Sequence, residues 1–471
     1  MTLDERLVKT VPHERQVRFQ QLEFYAFIHF TVNTFTDREW GDGTESPSIF
    51  DPKKLDAEQW VKAIKSAGMK GLILTCKHHD GFCLWPSKLT DHSVASSPWK
   101  NGKGDVVKET SEACKKHGIK FGVYLSPWDM NCHLYGQGKA YDDYFAGQLT
   151  ELLTGYGDIF SVWFDGACGE GPNGKKQYYD WDRYYKVIRE LQPDACISVC
   201  GPDIRWCGNE AGHTRTAEWS VVPERAKDSE IVAEKSQHED SEEFRRRRVD
   251  ARDGDLGSRA MLKDEEKLIW YPAEVNTSIR PGWFWHENEN DKVRSLEELV
   301  NIYINSAGGN ATFLLNVPPT PDGLLHQNDV KRLEELGEYI KAMFEANLLD
   351  SAALSSDGEN IEAVRTDSYD EYFISANGKN TAEIIAEWDS PVTVGTVVIK
   401  ENILCSQRVE SFTVEAELNG EFTEVYQGTV IGFKRIIPMK NILADSIRIK
   451  ITDSRTEPTI SFIGIYKGKE N

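Results

Sequence analysis

GLILTCKHHDGFCLW, residues 71 to 85, is the stretch on which the fold turns. An almost wholly apolar run passes directly into a lysine, two histidines and an aspartate. Such a run, too short for a helix and rich in branched residues, reads as a strand buried on both faces, with its polar residues gathered at its carboxyl end. The same texture recurs in AFIHF (26 to 30), FGVYLS (121 to 126), FSVWFDG (160 to 166), CISVCG (196 to 201), EWSVV (218 to 222), EVNTSI (274 to 279) and TFLLNV (312 to 317). Between many of these runs lie amphipathic segments: LDAEQWVKAIKSAG, GDVVKETSEACKKHG and WDRYYKVIRELQP. Two of them end in glycine, a common helix stop. Regular alternation of strand and helix predicts parallel strands with crossover helices. About eight such strands predict a (β/α)8-like TIM barrel over residues 1–348, with a doubly wound open sheet as the alternative.

Beyond residue 350 the texture changes. VTVGTVVIK, ESFTVEAELNGEF, SIRIKI and ISFIGIY alternate with period two, and Asn419-Gly420 is a hairpin signal. Residues 349–471 therefore read as an antiparallel β-sandwich.

Composition excludes several classes of function. A formal charge of −21 argues against binding a nucleic-acid backbone or an anionic membrane. No run of about 18 apolar residues occurs, and the N-terminus has no apolar leader core. Nine cysteines, eight of them between Cys76 and Cys207, form no C-x-x-C pair and read as free thiols. That pattern fits a cytoplasmic protein, while a periplasmic or secreted one whose leader has been removed fits comparably. Residues 223 to 265 are densely charged and include RRRR at Arg245 to Arg248; they read as a solvated excursion, with a lid or subunit contact as the lesser option. Abundant aromatics interleaved with His, Asp and Glu suit a site for a neutral polar ligand.

In a barrel, His29, His78, His79, the segment Tyr124 to Asp129, and Asp165 all fall at the carboxyl ends of strands, the face where active sites sit. Asp165 ends an apolar strand, with Trp163 two residues earlier on the same face. A helix cap is the plainer role for a strand-end aspartate, and a catalytic carboxylate is the other. The His-His-Asp group raises the question of a metal ion. Adjacent residues on an extended segment point in opposite directions, which makes neighbouring histidines poor joint ligands, and no metal is expected. If the reaction is cleavage of a glycosidic bond, a second carboxyl group is needed. Glu210, in RWCGNEAG with glycines on both sides, Glu218 and Glu274 all occupy barrel-end segments, and the residues alone do not choose among them.

Five landmarks in order, AFIHFTVNTFTDREWGD (26 to 42), GLILTCKHHDGFCLWPSKLT (71 to 90), FGVYLSPWD (121 to 129), SVWFDG (161 to 166) and GGNATFLLNVPPTPDG (308 to 323), resemble the α-L-fucosidases of glycoside hydrolase family 29. The resemblance implies a retaining mechanism through a covalent glycosyl-enzyme, with the nucleophile on Asp165. RWCGNEAG, EWSVVP and WYPAEVNTSIRPGWFWH resemble the branch acting on α-1,3- and α-1,4-linked fucose of Lewis-type glycans, in which the acid/base falls on Glu210. Cys207 and SSPWKNG depart locally from that pattern. By the same resemblance His29, Glu39, Trp40, His78, His79 and Tyr124 line the sugar pocket. Trp163 and one of Trp283 or Trp285 supply its apolar wall, and Glu218 contacts the sugar beyond the scissile bond. The tail resembles the discoidin-like, carbohydrate-binding-type sandwich of some members, which can carry a structural calcium, although no dedicated ligand loop is visible. No cofactor is required, and the expected partner is a fucosylated oligosaccharide or glycoconjugate. A fucose-binding lectin is the alternative of another class, and a metal-dependent hydrolase built on His78 and His79 is a further one.

Overall fold

The structure is a computed structural model, and residues 1–228 and 254–468 are described; the arginine run at 245 to 248 lies outside them. The first part of the chain supplies β1 (Phe24–Ile28), β2 (Gly71–Lys77), β3 (Lys120–Leu125), β4 (Ile159–Phe164), β5 (Cys196–Val199) and β6 (Arg205–Trp206). A short antiparallel pair follows, β7 (Val221–Pro223) with β8 (Leu268–Trp270), and then β9 (Ala273–Ser278) and β10 (Ala311–Asn316). Eight of these strands form one parallel sheet in the order β5-β4-β3-β2-β1-β10-β9-β6. A parallel bridge between Ser198 and Ile204 joins the two ends, so the sheet is a nearly closed barrel.

The sixth barrel strand differs from the expected one. EWSVV packs beside the barrel, where Val221–Pro223 pairs with Leu268–Trp270, and the barrel position belongs to Arg205–Trp206, in register with Ala273 and Glu274. A two-residue strand is too short to show any periodicity.

Alternation along each strand sets the layers. Ala26, Ile28, Leu72, Leu74, Phe121, Val123, Val162 and Phe164 pack outward against helix residues such as Trp60, Ile64 and Phe145. Tyr25, Phe27, Ile73, Tyr124, Trp163 and Leu314 pack together inside the barrel. Both faces are apolar, and the sequence therefore shows a continuous hydrophobic run in place of alternation. The inward row also continues past the strand ends: Phe27 leads to His29, and Trp163 to Asp165.

The C-terminal part is an antiparallel sheet built around two twenty-residue strands, Ala382–Glu401 and Arg435–Ser454. Register shifts between Glu387 and Val392 and between Val394 and Thr396 interrupt the pairing of these strands, and the sheet has one apolar core that includes Trp388, Phe412, Ile437 and Ile449. Asn419 and Gly420, at φ +56° and +85°, make the tight turn of the hairpin between Val409–Leu418 and Glu421–Gly428. No helix of the described residues is long and apolar enough to cross a membrane.

Candidate active site

A cavity opens at the carboxyl ends of the strands. His29, Glu39, Trp40, His78, His79, Trp163, Asp165, Glu210 and Trp283 line it, together with Phe27, Val199, Trp206 and Asn276. Asp165 follows β4 directly, and both of its oxygens are held: the Tyr124 hydroxyl donates to Oδ2 at 3.0 Å and the Ala167 N–H to Oδ1 at 2.9 Å. Tyr124 itself is fully buried behind the wall, stacked on Trp163 with ring centroids 5.4 Å apart.

Hydrogen-bond direction fixes the tautomers of two histidines. The Ser126 hydroxyl donates to the Trp128 carbonyl at 2.7 Å, so its oxygen accepts from His79 Nδ1 at 2.7 Å and Nε2 keeps its lone pair. That nitrogen lies 3.8 Å from Asp165 Oδ2. The Asn316 amide donates to Ser278 Oγ at 2.9 Å and to the Trp283 carbonyl at 2.8 Å. Its oxygen therefore accepts from His29 Nδ1 at 2.8 Å and leaves the second ring nitrogen as an acceptor. Burial pushes both imidazoles down to about 4, and His78 is lowered by burial as well. The wall thus offers neutral rings, with bare acceptor nitrogens on His29 and His79.

His78 and His79 do not diverge as an extended chain requires. β2 ends at Lys77, the chain turns through a bond from the Gly81 N–H to the His78 carbonyl, and both rings face the cavity with centroids 4.2 Å apart. Among the described residues, no group of three or more His, Cys, Asp or Glu is arranged to hold a metal ion.

Glu210 stands four residues beyond β6, in a loop whose glycines take left-handed backbone, Gly208 at φ +100° and Gly212 at φ +87°. The Asn209 side chain ties the loop, accepting from the Ala211 and His213 N–H groups and donating to the His213 carbonyl. The Trp283 indole donates to Glu210 Oε2 at 3.3 Å. Glu39 holds the segment that carries Trp283, accepting from the Trp283 N–H at 2.8 Å, the Phe284 N–H at 3.1 Å and His286 Nε2 at 2.6 Å.

The hydrogen bond to Glu39 raises His286 to about 9. A histidine raised above its ordinary 6.5 contributes stability fully below that value and loses it as the pH climbs through about 9. The 283 to 286 segment is therefore expected to loosen above about pH 9, with KM for substrate rising there. In His286→Gln, KM is expected to be higher and flat over the same range; an unchanged alkaline rise in the variant would contradict this role.

Besides Tyr124, which was expected in the pocket lining and is buried behind it, three candidate residues fall elsewhere. Trp285 is not part of the cavity wall. Glu218 is fully buried between Arg205 Nη2, at 2.6 Å, and Arg215, which bars it from a sugar. Glu274 lies inside the barrel, accepting from Trp163 Nε1 at 2.7 Å and from the Tyr25 hydroxyl, and burial pushes its carboxyl up to about 7. Sequence reasoning missed Trp206 and Asn276, which are joined by a 2.8 Å bond from the indole to the amide oxygen. Asn276 had a usable signal, since it shares the inward face of β9 with Glu274. Val199, a β-branched residue at φ +69° on the cavity wall, had none.

Two carboxyl groups, neutral imidazoles and indoles at one mouth of a (β/α)8 barrel define a glycoside hydrolase. A family model described as Alpha-L-fucosidase matches residues 13–345. Alpha-L-fucosidase 1 of Arabidopsis thaliana is 40% identical over 472 residues, which span 98% of this chain and 88% of the plant protein. The crystal structure of a glycoside hydrolase 29 family member from an unknown rumen bacterium is similar at TM-score 0.81 and 39% identity, covering 98% of this chain and 78% of that one. A Ruminococcus gnavus GH29 fucosidase in complex with fucose is similar at TM-score 0.82 and 31% identity, covering 98% and 95%. The chain belongs to the α-L-fucosidase family, glycoside hydrolase family 29.

Proposed function

We propose that the protein is a retaining exo-α-L-fucosidase that releases α-1,3- and α-1,4-linked fucose from Lewis-type glycans, with Asp165 as nucleophile and Glu210 as acid/base. The observation that carries this reading is that both carboxylates line one cavity, each oriented by donors from elements that also shape the sugar pocket. Asp165 attacks the anomeric carbon as Glu210 gives its proton to the departing glycosidic oxygen. The bond to the aglycone breaks and a β-linked fucosyl ester forms on Asp165. Glu210, now ionised, takes a proton from water, which attacks the same carbon, frees Asp165 and restores the α configuration. His29 and His79 accept from fucose hydroxyls through their bare nitrogens, while Phe27, Trp163 and Trp283 supply apolar surface for the ring carbons and the 6-methyl group.

Linkage preference rests on the RWCGNEAG and EWSVVP segments. The test compares fucose release from a Lewis-type trisaccharide with release from an α-1,2-fucosylated trisaccharide. Turnover of the first with little of the second is expected. Equal turnover of both would sink the branch assignment and leave the fucosidase reading in place.

A further inference from the structure

We propose that the C-terminal sheet takes part in the reaction by bracing the Glu210 loop, and that Arg215 is the positioning residue through which the brace acts. The proposal rests on the assignment of Glu210 as acid/base. The brace is a continuous set of buried polar contacts. On the sheet side, the Phe433 N–H donates to Asn310 Oδ1 at 2.7 Å, and Gln407 Oε1 accepts from the Ser220 N–H at 2.8 Å. Asn310 passes the contact on, its amide donating to the Glu218 carbonyl at 2.7 Å and to Ser220 Oγ at 3.2 Å. The Arg455 guanidinium lies 4.6 Å from the Trp219 ring centroid and covers the residue between them.

The carboxylate of Glu218 then accepts from Arg205 Nη2 at 2.6 Å and from the Arg215 backbone N–H at 3.2 Å, with Arg215 Nη1 3.5 Å away. Arg215 Nη1 donates in turn to the Cys207 carbonyl at 3.0 Å, three residues before Glu210. Glu218, Arg205 and Arg215 are all buried. Removing either partner from such a cluster leaves a charge without compensation, so the arrangement holds its geometry strongly.

The brace anchors the stem of the loop, which the Asn209 hydrogen bonds within residues 209 to 213 do not reach. Two left-handed glycines flank Glu210, and the strand before it is only two residues long. A general acid works only when its proton is within hydrogen-bond reach of the leaving oxygen, a tolerance of a fraction of an ångström. The cluster fixes the stem of the loop on the side away from the cavity, while Trp283 holds the carboxyl itself from the cavity side.

The test uses the full chain and the Arg215→Met variant, in which Glu218 keeps Arg205 as its partner. The readout is kcat/KM on two substrates: a Lewis-type trisaccharide, whose sugar leaving group needs a proton, and an aryl α-L-fucoside whose acidic phenol leaves without one. A misplaced acid is expected to lower the trisaccharide value by about 30-fold or more and the aryl value by less than about 3-fold, because general acid assistance is worth about 10²–10⁴-fold only where protonation is required. Asn310→Gly suits the left-handed backbone at φ +63° and removes the link from Phe433 to Glu218; it is expected to shift the same ratio in the same direction by a smaller factor, and it carries the test if Arg215→Met does not fold. Equal losses on both substrates in folded protein, or no loss on either, would overturn the brace. Glu210→Ala, run alongside, separates the two ideas. If it discriminates between the substrates while the brace variants do not, the brace alone fails. If it does not discriminate, the acid/base assignment fails and takes the brace with it.

Discussion

Asp165→Asn is expected to abolish fucose release from glycan and aryl substrates alike, with kcat/KM lower by between about 10³- and 10⁶-fold, the range seen when a covalent nucleophile is removed. The amide is isosteric, and its oxygen still accepts from the Ala167 N–H while its nitrogen faces the Tyr124 hydroxyl. Tyr124 can reverse its role and accept, so the strand end and pocket wall keep their shape. Fucose binding is therefore expected to persist with an unchanged melting temperature, and the loss is confined to the step that needs a negatively charged oxygen at the anomeric carbon. An active variant, checked by mass to exclude reversion to aspartate, would remove Asp165 from the mechanism.

Glu210→Ala is expected to show a different signature because the proposed mechanism uses this residue twice. In the first step its proton matters only for a poor leaving group, and kcat/KM on a Lewis-type trisaccharide is expected to fall by about 10²–10⁴-fold while an activated aryl fucoside keeps most of its value. In the second step the missing base slows hydrolysis of the fucosyl-enzyme, so kcat on the aryl substrate falls and the intermediate accumulates. Azide needs no base, and it is expected to restore kcat and to yield α-L-fucosyl azide, the product of two inversions. A β-azide would indicate that the variant had lost the nucleophile in place of the acid/base. The truncation leaves in place the Asn209 hydrogen bonds within the loop and the Arg215 bond to the Cys207 carbonyl at its stem, so the loop is expected to keep its fold.

Much of this architecture was legible because burial writes a plain signal. Seven of the eight barrel strands appear as apolar runs, and the inward row of side chains carries directly into His29 and Asp165 at the strand ends. β6 was invisible for the opposite reason: Arg205–Trp206 gains its strand character from pairing with β9, a long-range contact that no local pattern records. Glu218 misled because a carboxylate near the barrel end reads alike whether it faces a ligand or two buried arginines. His78 and His79 face one cavity because the chain turns after Lys77, and Gly81 at φ +77° was the available sign of that turn. The choice of Glu210 over Glu274 came from resemblance alone. In the structure the two differ physically, Glu210 at the cavity wall and Glu274 sealed beneath Trp163.

The most direct test of the central claim is to trap the covalent intermediate. A 2-deoxy-2-fluoro-fucosyl donor with a good leaving group slows hydrolysis of the ester more than its formation, and peptide mapping by mass spectrometry then locates the label. One fluorofucosyl group per chain on the peptide carrying Asp165 is predicted. A label on any other residue, or no label together with β-L-fucose as the first product of turnover, would contradict it.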